Sequence, residues 1–177
     1  LDNWLTAHTY QAAHGWFGPL QLSLFASEPE VQDLASLQSS EAAWEPGITL
    51  AGYRFLDPVL PTGQVVRLDL QWSAVAAVDE GYKVFVHVLN HQGQVVTQRD
   101  TEPVRGSRPI SSWAPGEVID DRLGLWIPPD LPDGNYTIVL GLYDPGTLQR
   151  LHVCCPDGDA ITLGTVVVEN GIAHVKP

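Results

Sequence analysis

Two groups of acids are the first residues whose types and spacing suggest chemistry: Asp120 beside Asp121, and Asp100 followed by Glu102. A pair of carboxylates held roughly 5 to 9 Å apart across a cleft can hydrolyse a glycoside, one as general acid and the other as base or nucleophile. Adjacent residues of a strand point to opposite faces, so Asp120 and Asp121 share a substrate only if the strand bulges. Asp100 and Asp121, with backbone carbonyls, are also the candidate ligands for a structural Ca²⁺, although no EF-hand ligand ladder is present. Solvated loop acids are the plainer reading, and no residue is assigned a catalytic role. No cofactor is expected beyond that Ca²⁺ candidate.

The histidines and cysteines give less. His87 and His91 lie in a strand and its turn, about 13 Å apart by strand rise, which is too far for one metal. His87 alternates with Phe85 and Leu89 in KVFVHVL and reads as a satisfied or semi-buried sheet histidine rather than a ligand, while His152 and His174 have no partner that the sequence identifies. Cys154 and Cys155 are adjacent and cannot staple two elements together, so they read as reduced, small apolar residues near a turn. GxSxG, HExxH and P-loop patterns are absent. The Asn135-Tyr136-Thr137 sequon is explained by a turn exit. Among six Trp, Trp72 and Trp126 alternate with core-type residues, which leaves Trp113, in the loop SSWAPG, as the best candidate for an exposed sugar-stacking ring. A loop anchor is the plainer reading of Trp113. The candidate ligand-binding residues are therefore Trp113, Asp100 and Asp121.

Charge narrows the partners. The 177 residues hold 21 acids against 9 Lys plus Arg, for a net charge of -12, with no basic run. Nucleic-acid binding is disfavoured, because neutralising phosphates takes clustered cations. No apolar run approaches the roughly 18 residues of a membrane span, and no secretory signal opens the chain. A chain that starts at Leu1 and lacks Met is expected to be a piece of a longer protein.

The elements that must position these residues are mostly strands. Residues 1 to 17 are expected to form a short helical arm, capped by Asp2 or Asn3, carrying Trp4, Leu5, Tyr10 and Ala13 and ended by Gly15. Ser27 to Pro46 reads as a linker or long surface loop, pinned by Trp44. From Ile48 onward, short segments rich in Val, Leu, Ile and aromatics alternate with Gly, Pro and Asp clusters. Strands are predicted at Ile48 to Phe55, Val65 to Ala76, Tyr82 to Asn90, Val95 to Asp100, Val118 to Trp126, Asn135 to Tyr143, Arg150 to Val153 and Ile161 to Glu169. Leu20 to Ala26 and Ile172 to Val175 are added ones. The fold class is all-β, a jelly-roll-like β-sandwich with a short helical N-terminal arm, divided into an arm and linker over 1–46 and the sandwich over 47–177. Pro58 to Val65 and Pro129 to Tyr136 share a proline-bounded turn pattern, better explained by common turn chemistry than by duplication. The second turn places Tyr136 as a tyrosine corner.

From Leu50 to Leu151 the motifs AGYRF, RLDLQWSA, YKVFVHVLN, GQVVTQRDTEP, SSWAPGEVIDD and DGNYTIVLGLYDPGTLQRL occur in that order. In this the chain resembles the carboxyl-terminal domain of polytopic bacterial glycosyltransferases, the mannosyltransferase-like membrane proteins of Chloroflexi and relatives. WLTAHTYQAAHGWFGPLQLSLFA is similar to the segment after the last membrane span of such proteins. The resemblance implies an extracytoplasmic, non-catalytic accessory domain, with the transmembrane region of its parent and a glycan as partners. It carries over no catalytic residue, since the transferase chemistry of that family resides in the membrane-embedded region. The rival expectations are a free-standing carbohydrate-binding module and a small glycoside hydrolase using Asp100, Glu102, Asp120 or Asp121.

Overall fold

The computed structural model describes residues 2–28, 36–154 and 157–177. An α-helix, α1 (Asp2–His8), leads into β1 (Thr9–Phe17) and β2 (Leu20–Ser27), and two short strands follow, β3 (Gln38–Ser39) and β4 (Ala43–Trp44). Next come β5 (Ile48–Phe55), β6 (Val59–Pro61), β7 (Val65–Ala74), β8 (Lys83–Leu89), β9 (Val95–Thr101) and β10 (Ile119–Trp126). The chain ends with β11 (Gly134–Tyr143), β12 (Val153–Cys154), β13 (Asp157–Gly158), β14 (Ile161–Glu169) and β15 (Ile172–Lys176).

These strands build two sheets packed face to face, an all-β sandwich. The first runs β13-β12-β4-β5-β7-β10-β1-β2 with β3 beside β5, and the second runs β6-β15-β14-β11-β8-β9. The reason is written in the alternation. In VVRLDLQWSA of β7, Val66, Leu68, Leu70, Trp72 and Ala74 are buried while their neighbours are half-exposed. Val84, Val86 and Val88 of β8, with Ile138, Leu140 and Leu142 of β11, meet them from the second sheet in one core cluster. Each such side chain contributes roughly 1.5 to 3 kcal/mol by leaving water.

The predicted strands from Ile48 to Glu169 are present, with ends shifted by a residue or two, except near Arg150. There the strand is Val153–Cys154, and Arg150 makes an isolated bridge to Tyr143. Tyr136 is buried and its hydroxyl donates to Pro132 O at 2.8 Å, as a tyrosine corner requires. The two proline-bounded turns lie against each other, with Thr62 Oγ1 donating to Pro129 O at 3.2 Å and Gly63 N to Ile127 O at 2.8 Å.

The arm departs from expectation. The helix stops at His8, and Tyr10, Ala13 and Gly15 lie on β1, which pairs antiparallel with β2 over Thr9 to Phe17 and parallel with β10 at Gln11 and Leu123. Long-range pairing overrides the local helical signal. The arm is thereby part of the first sheet, and Tyr10 pins it: the phenol donates to Asp69 Oδ1 at 2.7 Å, Arg54 holds the other Asp69 oxygen at 2.7 Å, and the Arg122 guanidinium lies over the ring at 5.9 Å. Within the predicted linker, β3 and β4 pair with β5, and Trp44 is buried against Trp72. The part of that linker over 29–35, and Cys155, lie outside the described residues.

Candidate functional site

The open long side of the sandwich lies between the β1–β2 hairpin of the first sheet and the edge strand β9 of the second. It holds a cleft of about 660 Å³, bordered by Gln11, His14, Gln21, Ser23 and Phe25 from the hairpin and by Arg99 to Glu102, Arg105 and Ser107 from β9 and the loop after it. Arg99 forms its floor. In the β8–β9 ladder Arg99 stands opposite Val86, a core residue, so its side chain points into the sandwich rather than out to water. It is 7% exposed, and its Nη2 donates to Gln11 Oε1 at 2.7 Å. Gln11 Nε2 in turn donates to Ser23 Oγ at 3.2 Å, which ties the hairpin to the floor.

A guanidinium taken out of water needs acceptors for five N–H groups. Arg99 Nε is buried with no partner among the described residues. Burial, and then the neighbouring Arg105 charge, lower the Arg99 pKa from its usual value, while Asp121 and Asp100 act in the opposite sense. Arg105 lies with its guanidinium over the Phe25 ring at 4.9 Å.

The loop carrying Arg105 is strained. Val104 (φ 51°), Arg105 (φ 57°) and Gly106 (φ 81°) are left-handed in succession, and each non-glycine residue in that region costs roughly 1 to 2 kcal/mol. Asp121 holds the turn in place. Its Oδ1 accepts from Val104 N at 2.9 Å, while Oδ2 is buried without a regular hydrogen bond. Burial pushes the Asp121 pKa up to about 6, against the lowering influence of the backbone N–H groups of Val104 and Arg122, the Arg99 charge and the Trp72 indole. Trp72 Nε1 acts on the carboxyl yet falls short of a regular hydrogen bond.

The candidates read from the sequence are thus rearranged. Trp113 as a ligand-binding ring is a correction, while its plainer reading as a loop anchor holds: it is 4% exposed, its Nε1 donates to Arg108 O at 3.0 Å, and its ring lies 6.5 Å from that of Trp72. Indole packing anchors the loop and removes the ring from any ligand. Asp121 is a second correction, since it faces the core and holds a loop rather than meeting solvent or a ligand. Asp120 points the other way, exposed, and accepts from Gln71 Nε2 at 3.1 Å, so the two adjacent acids part as strand geometry requires.

Asp100 borders the cleft and also a smaller hollow of about 210 Å³ with Phe85, His87, Tyr143 and Arg150. Its Oδ1 is 3.0 Å from His87 Nε2, and it raises the Tyr143 pKa, to which burial contributes most. Phe85 stacks on His87 at 4.7 Å, and the Arg150 guanidinium covers its ring at 4.4 Å. His87 is the buried sheet histidine that alternation suggested. Among the described residues no three His, Cys, Asp or Glu side chains converge as a metal ion would need.

The residues that sequence reasoning missed are Arg99 and Gln11. In QVVTQRDT an Arg on an edge strand reads as solvated; only the hairpin, folded over it from the far end of the sequence, makes it a floor. The scarcity of cations, nine in the chain, is the one signal that singles it out. No protein-family model matches the chain, and no curated protein matches it in sequence, so the likeness to the glycosyltransferase domain stands on its motifs alone.

Proposed function

We propose that this sandwich is a non-catalytic accessory domain of a membrane glycosyltransferase, carried on the extracytoplasmic face, and that the cleft over Arg99 holds a glycan. The observation that carries the reading is the mixed, fixed lining of this cleft. Hydroxyl groups of a sugar both donate and accept, and Gln11, Gln21, Ser23, Glu102 and Arg99 offer both roles along two elements that face each other. Arg99, already largely buried where it lines the cleft, donates to a ligand oxygen at little further cost in desolvation.

The acids argue against turnover. Asp121 is occluded behind Val104, Asp120 faces elsewhere, and Asp100 is engaged by His87. Glu102 alone cannot run a two-carboxylate mechanism. The motifs that resemble the glycosyltransferase domain build β5, β7, β8, β9, β10 and β11, the scaffold under the cleft, which favours a structural and positioning role.

The test is calorimetric titration of the purified chain with neutral and acidic oligosaccharides, beside an aryl-glycoside assay, using wild type, Arg99→Met and Gln21→Ala. Saturable binding weakened in both variants, without turnover, is expected. No binding across the panel refutes the reading, and turnover lost in Asp100→Asn or Glu102→Gln replaces it with the hydrolase.

A further inference from the structure

From Asn3 to Ser27 the chain carries none of its 21 acids and none of its 9 Lys plus Arg, in a protein of net charge -12. The same stretch exposes Trp16 by 69%, Leu20 by 64%, Leu22 by 56% and Leu24 by 43%.

The register shows how these residues are disposed. Leu20, Leu22 and Leu24 alternate along β2 and share one face of the hairpin; Trp16 pairs with Gln21 and belongs to the other. β2 is the edge of its sheet, and β1 joins β10 only at Gln11 and Leu123, so beyond Ala13 no further strand flanks the hairpin among the described residues. At that end one face carries the leucine row, whose inner member Leu24 borders a hollow with Val59 and Leu60, and the other carries Trp16 beside the cleft residues His14, Gln21 and Ser23, with no Asp, Glu, Lys or Arg on either.

A folded partner docking on a sheet covers one face, and an edge-to-edge pairing covers neither. A medium that surrounds the hairpin satisfies both, and a lipid interface is such a medium; Trp is also the side chain that favours the headgroup level. The unpaired backbone of an edge strand cannot enter the hydrocarbon core without loss of hydrogen bonds, so only the tip is suited to enter, and only to the hydrated interfacial layer. With a net charge of -12 and no Lys or Arg on the hairpin, an anionic surface repels the domain. We propose that the distal β1–β2 hairpin seats this domain on a zwitterionic bilayer surface, with Trp16 and the Leu20, Leu22, Leu24 row as the contact. This proposal does not depend on glycan binding.

The test is co-sedimentation of the purified chain with phosphatidylcholine vesicles and with vesicles containing phosphatidylglycerol, at low and high salt, with bromolipid quenching of Trp fluorescence as a depth gauge. Expected are partition onto phosphatidylcholine, weaker partition onto the anionic vesicles at low salt, and quenching that Trp16→Phe largely removes. Trp16→Ser with Leu22→Ser should weaken partition by about tenfold or more at unchanged melting temperature, because both sites are exposed in the folded chain. Absence of partition by the wild type overturns the proposal, as does equal partition by the double variant. A wild-type dimer that the same variant turns into a monomer, with no vesicle binding, assigns the surface to a second copy instead.

Discussion

Asp121 gives the sharpest quantitative expectation. Its carboxyl is buried at the core side of β10, with a pKa near 6 where an ordinary aspartate has 3.8. A group whose folded-state pKa is raised contributes stability that is complete below its unfolded pKa and is lost as pH rises through the folded value. The window is therefore pH 4 to 6, and stability falls across it as the pH goes up. A difference of about two units, at ~1.36 kcal/mol per unit, amounts to about 3 kcal/mol, most of which lies between pH 4 and pH 7. In Asp121→Asn the side-chain oxygen still accepts from Val104 N, so the left-handed turn is retained, but nothing titrates. Urea unfolding of both chains at pH 4, 5, 6 and 7, followed by tryptophan fluorescence, isolates the effect. The stability of wild type minus that of the variant should drop by about 2 kcal/mol from pH 4 to pH 7, whatever the other carboxylates do. A flat difference, or one that grows with pH, would refute the placement of Asp121 as a desolvated acid.

Tyr136→Phe removes the hydroxyl that donates to Pro132 O and should cost about 1 kcal/mol, a fall in melting temperature of roughly 2 to 4 °C; no change on thermal unfolding would mean that the corner carries no net energy. Gly164→Ala should destabilise by roughly 1 to 3 kcal/mol, since the new Cβ would stand 2.2 Å from Lys176 O, a backbone atom of β15 that cannot step aside. A neutral outcome in chemical denaturation would show that β15 yields readily.

The parts of the fold that could be read directly are those in which one periodicity decides everything. The alternation of VVRLDLQWSA in β7 fixes a strand and its buried face together, and ITLGTVVVE in β14 stands out by its β-branched run. Tyr136 was legible for another reason, since the whole motif lies within a few residues of sequence. What escaped depends on partners that no single segment announces. Thr9 to Phe17 carry a local helical signal, and they become a strand because β2 and β10 supply hydrogen bonds. That Trp113 anchors its loop could be read, but not that Arg108 O and Trp72 are what it anchors to. Arg99 follows the same logic in reverse, a polar edge residue converted into an interior one by the hairpin that closes over it.

The parallel pairing of Gln11 with Leu123 joins positions more than a hundred residues apart. During synthesis, at about 5 to 20 residues per second, β1 emerges several seconds before its partner strand exists. Until then the hairpin is an uncharged, Trp- and Leu-bearing segment tethered to an unfinished chain, the kind of surface that recruits chaperones or aggregates. The remainder of the first sheet, β5 with β7 and then β10, can assemble without it. Closure of the hairpin onto β10, over Arg99, therefore cannot begin until Leu123 has been made.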